Sequence, residues 1–267
     1  MEASRELAKA HLAAFDVYHT PGGSRDIVPA QPYLLLAIEN FFSEAECGAL
    51  IAAAHISGLQ PPSAADLTPR KNEAFLNREK AAFIDATFAE RVWSRLVPFL
   101  PEIDGRLPVG LHGDTSKGGK HSQMSYYRYA RGMRFDQHVD QSWKGGPGEE
   151  TEYTLLFYLN SAGEALASQG CDQPLQGGDT VFMATAKAEL ARVTPRAGLA
   201  LLHAHGRRCL MHYAEEVTRG VKYVLRADVL YRRCDAAGTL NSAPASERSG
   251  TGTQSHSGKQ KGKVKKK

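Results

Sequence analysis

The sequence contains one short motif with metal-binding spacing, His138-Val139-Asp140. The motif lies in a run with β-strand character, and side chains two residues apart on a strand point to the same side. The imidazole and the carboxylate therefore converge, as two of the three ligands do in a 2-His-1-carboxylate site for Fe(II), which leaves coordination positions open. Taken alone, the triplet is better explained as two unrelated core or surface residues.

A later histidine must complete such a site, and the candidates are His203, His205 and His212. His212 is followed ten residues later by Lys222, which begins a β-type run. A buried lysine is costly unless an anion pairs with it, so this lysine fits the far carboxylate of a dicarboxylate co-substrate. No basic residue follows His203 or His205 at that offset, and we expect these two to line the pocket or to support the fold.

The closing run alternates between an apolar face and a face that holds Lys222, Arg226 and Asp228. If this strand belongs to a closed sheet structure, the polar face lines the interior, and Arg226 becomes a second candidate anchor for an anion. The alternative is that Lys222 points to solvent.

The segments that must position these residues follow Gly119 as short β-type runs separated by glycine-bearing turns. They are Met124–Tyr129, Met133–His138, Tyr153–Asn160, Thr180–Ala184, Ala197–His203 and Tyr223–Tyr231. Many short strands with turns between them and no intervening helices favour an all-β sandwich or barrel.

The first third of the chain has helical patterning. Ser43 and Glu46 have the spacing of a capping box, which predicts a helix start. A second helix is predicted to begin near Asp85 or Thr87, with Thr87 in another capping box, and to end at Pro101. We expect this helical front end to pack against the outer face of the sheet.

Charge is distributed unevenly along the 267 residues, whose net charge is +4. Residues 236–267 contain seven basic residues and one acidic residue, a net charge of +6, so the first 235 residues carry −2. The segment is poor in apolar side chains and is predicted to be a disordered lysine-rich tail that serves as an address, a binding arm or a solubiliser. The nearly neutral remainder argues against a dedicated DNA-binding domain.

Other features restrict the compartment. No apolar run reaches the roughly 18 residues of a membrane span, so we expect no membrane association. The four cysteines form no C-x-x-C pair and the N-terminus has no secretory signal. Free thiols in a reducing compartment, hence a cytoplasmic or nuclear location, are the expectation.

From about Asn40 to Arg233 the sequence resembles the prolyl 4-hydroxylase-like branch of the Fe(II)/2-oxoglutarate-dependent dioxygenases. The segments that carry the resemblance are YYRYARGMRFDQHVD at Tyr126–Asp140, TLLFYLN at Thr154–Asn160, GGDTVF at Gly177–Phe182, PRAGLALLH at Pro195–His203, and Leu210–Arg233. The resemblance implies a mainly β fold, a double-stranded β-helix (jelly roll) packed against N-terminal helices. The oxygenase domain would span residues 1–235, with a helical front end to about 118 and a jelly-roll core from about 119.

Carried over position by position, the resemblance implies that His138, Asp140 and His212 hold Fe(II). It implies that Lys222 binds the C5 carboxylate of the co-substrate 2-oxoglutarate. Tyr129 and Tyr158 match co-substrate-lining positions, although Tyr129 could equally be an ordinary strand tyrosine. Ascorbate is the implied reductant.

The implied reaction couples oxidative decarboxylation of 2-oxoglutarate to hydroxylation of a C–H bond. The branch favours a prolyl or other side chain in a protein or peptide, and the missing signal peptide argues against collagen. The expected pocket rim comprises 57–80 and the glycine-rich loop 141–152. The alternatives are a small-molecule or alkylated nucleic-acid substrate, helped by the basic tail, or a non-catalytic binding module. The sequence leaves the oligomeric state open.

Overall fold

A computed structural model describes residues 12–13, 35–71, 73–113, 120–146, 148–167 and 170–234. The predicted tail at 236–267 and most of the first 34 residues lie outside this part of the chain. The domain boundary near residue 235 therefore stays a prediction.

The described residues form fourteen strands and three α-helices. The strands are β1 Leu12–Ala13, β2 Leu35–Ile38, β3 Glu79–Ile84, β4 Arg106–His112, β5 Gln123–Ala130, β6 Phe135–His138, β7 Glu149–Tyr158, β8 Gln176–Gly177, β9 Thr180–Met183, β10 Glu189–Val193, β11 Ala200–Ala204, β12 His212–Ala214, β13 Val217–Arg219 and β14 Val221–Arg233. The helices are α1 Glu44–Ile56, α2 Ala64–Leu67 and α3 Ala86–Leu96, and short 3-10 turns follow at Val97–Phe99 and Gly206–Arg208.

Two antiparallel sheets build the body. The large sheet has the order β1-β2-β11-β7-β14-β5-β3, with β4 pairing to β14, and the small sheet has the order β10-β9-β12-β6. Apolar side chains of both sheets, among them Tyr127, Leu201 and Phe182, form one core cluster between them. The predicted fold class, a jelly roll packed against helices, is confirmed.

Strand β14 explains why the helices lie where they do. Its Tyr223, Leu225 and Ala227 belong to a second core cluster that also contains Ile51 of α1 and Val92 of α3. Because alternate residues face opposite sides of a strand, Lys222 and Arg226 are turned toward the space between the sheets. The prediction that the helical front end packs on the outer face is confirmed.

Capping side chains determine where helices α1 and α3 begin. Ser43 and Glu46 form the predicted reciprocal capping box at the start of α1. The second predicted box is wrong, because the cap of α3 is Asp85, whose carboxylate accepts a hydrogen bond from the Phe88 amide. An aspartate one turn before the apolar stripe reaches that amide directly, so Thr87 is left inside the helix.

The front third also contributes strands that its helical pattern did not predict. Strands β2, β3 and β4 pair with β11, β5 and β14 respectively. Each is seven residues or shorter, and each is stabilised by a partner far away in sequence rather than by a local pattern. No helix of the described residues is long and apolar enough to cross a membrane.

Two isoleucines of α1 test the packing of this helix. Ile51 is 1% exposed in the core and Ile56 is 87% exposed. We predict that Ile51→Ala lowers the free energy of unfolding by about 2–5 kcal/mol, because it removes buried methyl groups and leaves a cavity. Ile56→Ala, the same change on the same helix, should alter it by less than about 0.5 kcal/mol.

Urea denaturation of both variants provides the measurement. Equal effects of the two substitutions would contradict the packing of α1 against the sheet.

Candidate metal centre

Backbone pairing brings two histidines together at one end of the small sheet. Strand β6 ends at His138, β12 begins at His212, and the two residues lie opposite each other in the antiparallel pair. Asp140 follows two residues after β6, and its Oδ1 lies 3.6 Å from His138 Nε2. One potential ligand atom from each of the three residues lies within 4.8 Å of the other two. The structure therefore assembles the three residues that the sequence singled out for a metal.

Backbone carbonyls fix the orientation of both rings. His138 Nδ1 is 2.8 Å from the Asp136 carbonyl, and His212 Nδ1 is 2.9 Å from the Leu210 carbonyl. A carbonyl can only accept, so each Nδ1 carries the proton and each Nε2 keeps its lone pair. This is the second-shell arrangement by which proteins present an imidazole to a metal ion.

The ionisation states suit a divalent cation. Burial lowers the pKa of His138 to about 3 and also lowers the pKa of His212, so both rings are neutral near pH 7. Burial raises the pKa of Asp140, but the electrostatic effects of Arg226 and of the three neighbouring histidines together outweigh burial and hold that pKa well below its usual range. Two neutral imidazoles and one carboxylate are the donor set of a non-haem Fe(II) site, so these residues fit the implied metal.

Lys222 lies at the far side of the same pocket, between the sheets. Its side chain is 2% exposed, which rules out the alternative that it points to solvent. Its Nζ donates a 2.5 Å hydrogen bond to the Gly178 carbonyl, and no carboxylate of the described residues forms an ion pair with it. Burial lowers its pKa to about 7. The pocket thus holds a buried amino group with which no described carboxylate forms an ion pair.

A glycine turn makes the contact with Lys222 possible. Gly177 and Gly178 have φ values of 73° and 78°, in the left-handed region that favours glycine. A Cβ at Gly177 would lie 2.2 Å from the Glu216 carbonyl oxygen, so the turn requires glycine there for space as well.

The other predicted residues occupy distinct places. Tyr129 lines the pocket, and its hydroxyl accepts a 3.2 Å hydrogen bond from Arg78. The Tyr158 hydroxyl donates to Thr180 Oγ1 at 2.7 Å, so Thr180 separates it from the cavity. Arg226 also lines the pocket but contacts Asp140 Oδ2 at 3.2 Å, which directs its charge to the metal end.

The two remaining candidate histidines, His203 of β11 and His205 just after that strand, are buried beside the site. His203 lines the pocket, and within the described part of the chain neither of its ring nitrogens has a hydrogen-bond partner. The Nδ1 atom of His205 lies 3.3 Å from Thr154 Oγ1. Their positions agree with the expectation that they line the pocket or support it.

Sequence reasoning missed Arg78, Thr154 and Thr180. Arg78 stands just before β3 and places its guanidinium 3.4 Å over the Tyr127 ring, a contact with no local sequence signal. Thr154 and Thr180 lie in segments that had been singled out as strands, and alternation along β7 puts Thr154 on the same face as Tyr158.

Parts of the expected rim lie near the metal end. Phe75 from 57–80 lines a shallow groove with Gln137 and Tyr213, next to the candidate ligands. In the glycine-rich loop, Trp143 stacks on His112 with ring centroids 4.3 Å apart.

Comparisons with known proteins agree with this geometry. Residues 124–227 match the profile of the 2OG-Fe(II) oxygenase superfamily. A search of curated protein sequences gave no match. Among solved structures, a viral collagen prolyl hydroxylase from Paramecium bursaria Chlorella virus-1 with 2OG has 19% identity and a TM-score of 0.50, covering 75% of this chain and 97% of its own.

Two further solved structures share the fold. A Trichoplax adhaerens prolyl hydroxylase in complex with a hypoxia inducible factor peptide fragment has 14% identity and a TM-score of 0.53, covering 85% of this chain and 90% of its own. A Pseudomonas putida prolyl-4-hydroxylase has 14% identity and a TM-score of 0.50, covering 75% and 93%. At these identities the likeness shows the fold.

The unpaired ammonium predicts a pH dependence of stability. Between about pH 7 and the ordinary lysine pKa of 10.5, the unfolded chain binds a proton that the folded Lys222 releases. The free energy of unfolding should therefore rise with pH in this window, by at most about 1.4 kcal/mol per pH unit from this group. Lys222→Met should lack this contribution.

Urea denaturation at pH 7, 8 and 9 measures the difference between wild type and Lys222→Met. Lys144→Met, at a side chain that is 75% exposed, serves as the matched control. Parallel pH profiles for wild type and Lys222→Met would contradict the burial of an unpaired ammonium.

Proposed function

We propose that this chain, which carries a 2OG-Fe(II) oxygenase domain over residues 124–227, hydroxylates a prolyl or other side chain of a protein or peptide. The chain is a 2OG- and Fe(II)-dependent dioxygenase, so decarboxylation of 2-oxoglutarate is coupled to hydroxylation of the substrate. The observation that carries the proposal is that one pocket holds two different kinds of group. Metal-type donors lie at one end, and the unpaired cation Lys222 lies at the other.

His138, Asp140 and His212 would hold the Fe(II). When bound, the iron supplies the activation of O₂ that amino-acid side chains cannot perform. The chain's own part begins with the two neutral Nε2 atoms and the ionised carboxylate, which are ready for a divalent cation without a change of protonation. The surrounding sheets leave the side chains of His138 and Asp140 only 14% and 12% exposed, which limits their contact with water.

Lys222 is the proposed anchor for the C5 carboxylate of 2-oxoglutarate. A carboxylate there would provide the partner that the buried ammonium lacks and would favour its charged form. Tyr129 and, through Thr180, Tyr158 supply hydroxyls near that end of the pocket. Arg226 is the weaker candidate, because its guanidinium already contacts Asp140 and Asp228 at 3.2 Å each.

The choice of a protein substrate has two supports. Structures that share the fold are prolyl hydroxylases, one of them bound to a peptide fragment. In this chain, an open groove runs past the metal end with Phe75 and Tyr213 in its wall. Such a groove can accept an extended segment, whereas an enclosed cavity would suit only a small molecule.

Two finer points complete the proposal. Ascorbate is the proposed reductant that keeps the iron in the Fe(II) state. A cytoplasmic or nuclear location is proposed because all four cysteines are free thiols, as is usual in a reducing compartment.

The test incubates the full chain with Fe(II), 2-oxoglutarate, ascorbate and O₂ in the presence of proline-rich peptides. We expect added oxygen on the peptide by mass spectrometry, with succinate formed in step. Lys222→Ala should raise the KM for 2-oxoglutarate more than about tenfold, because a charge-assisted contact is worth about 1.5–3 kcal/mol. Lys144→Ala should leave that KM unchanged.

Alkylated oligonucleotides are assayed in parallel. Loss of the alkyl group with no peptide modified would overturn the protein substrate in favour of nucleic acid. An unchanged KM in Lys222→Ala would overturn the anchor.

A further inference from the structure

The two oxygens of the Asp140 carboxylate have different surroundings. Oδ1 faces the metal end, 3.6 Å from His138 Nε2. Oδ2 accepts a 2.6 Å hydrogen bond from Thr154 Oγ1 and a 3.2 Å hydrogen bond from Arg226 Nη2. Thr154 is 1% exposed and Arg226 is 7% exposed. A short hydrogen bond from a fully buried hydroxyl therefore holds the second oxygen of the carboxylate.

The donors come from the large sheet, whereas Asp140 follows a strand of the small sheet. Thr154 lies on β7 opposite Asp228 of β14, and Arg226 lies two residues before Asp228. Both Thr154 and Arg226 line the pocket, so they share the inner face of the large sheet. The contact with Asp140 thus links the two sheets at the metal end.

The direction of the Thr154 hydroxyl is determined by its neighbours. The ionised Asp140 carboxylate can only accept a hydrogen bond, so the single hydroxyl hydrogen of Thr154 is donated to it. The same oxygen can then only accept from His205 Nδ1, 3.3 Å away. His205 therefore supports the rotamer in which Thr154 donates to Asp140.

A carboxylate that ligates a metal can rotate about its Cβ–Cγ bond and bind through one oxygen or through both. A donor fixed on Oδ2 removes that freedom and leaves Oδ1 as the free acceptor. We propose that Thr154 is a positioning residue that holds Asp140 in the orientation for metal binding, with Arg226 as the second donor to the same oxygen. This inference rests on the proposed function insofar as Asp140 is a metal ligand there.

The test is a titration of the full chain with Co(II), followed by the visible absorption of the bound ion. Thr154→Val keeps the shape of the side chain and removes the hydroxyl, and we expect about 10–100-fold weaker Co(II) binding with shifted absorption bands. Thr154→Ser restores the donor and should bind within about threefold of wild type. Thr180→Val is the matched control, because Thr180 is a buried threonine of the same pocket whose hydroxyl accepts a hydrogen bond from Tyr158.

Melting temperatures of the metal-free proteins separate positioning from folding. If the two threonine-to-valine substitutions lower the melting temperature by similar amounts, we still expect Thr154→Val to lose much more Co(II) affinity than Thr180→Val. Co(II) binding by Thr154→Val within twofold of wild type, or an equal loss in Thr180→Val, would overturn it.

His212→Ala in the same titration distinguishes the two proposals. Undiminished Co(II) binding by His212→Ala overturns the metal site, and the role of Thr154 with it. Loss of binding in His212→Ala together with unchanged binding in Thr154→Val overturns only the role of Thr154.

Discussion

Strand β14 is buried on both faces, and the arrangement of the whole molecule depends on this constraint. Every residue from Val221 to Tyr231 is buried, and the strand pairs with β5, β7 and β4. A strand covered on both sides needs an apolar layer on one face and satisfied polar groups on the other. Helices α1 and α3 supply the apolar layer on one face. The other face lines the pocket between the sheets, where Lys222 and Arg226 lie.

The two cations of β14 have opposite electrostatic surroundings. Arg226 is balanced by Asp140 and Asp228, so its charge is compensated within the chain. The Lys222 ammonium contacts a backbone carbonyl and lies near two aromatic rings, and none of the described carboxylates forms an ion pair with it. Since a buried charge without a counter-charge is destabilising, the fold carries a cost that an anionic co-substrate would relieve. The inner face of β14 thus holds both Arg226, which contacts Asp140, and Lys222, which is suited to the far carboxylate of the co-substrate.

The same geometry explains which features could be predicted from sequence. His138 and Asp140 could be paired because the two-residue period of a strand is local, and Lys222, ten residues after His212, favoured that histidine. The resemblance to a known family then implied that all three residues hold Fe(II). Strand β12 itself, three residues long, has no periodic pattern to detect. Strands β2, β3 and β4 depend on partners distant in sequence, and so their region was predicted only as helical.

Side-chain contacts between the two sheets could not be predicted from the sequence. Arg226 was predicted as an anion anchor, a role that remains a prediction, but its pairing with Asp140 depends on how the two sheets face each other. Thr154 gave no signal of its own, since its relation to Asp140 is set by the register of β7 and by the position of the small sheet. Arg78 reaches the pocket only because β3 pairs with β5.

We propose that His138, Asp140 and His212 form one metal site that shares its pocket with 2-oxoglutarate. The most direct measurement is the visible absorption of the protein after anaerobic addition of Fe(II) and 2-oxoglutarate. We expect a metal-to-ligand charge-transfer band in the wild type and its loss in His138→Ala. Absence of the band in folded wild-type protein, or its survival in His138→Ala, would contradict this metal site.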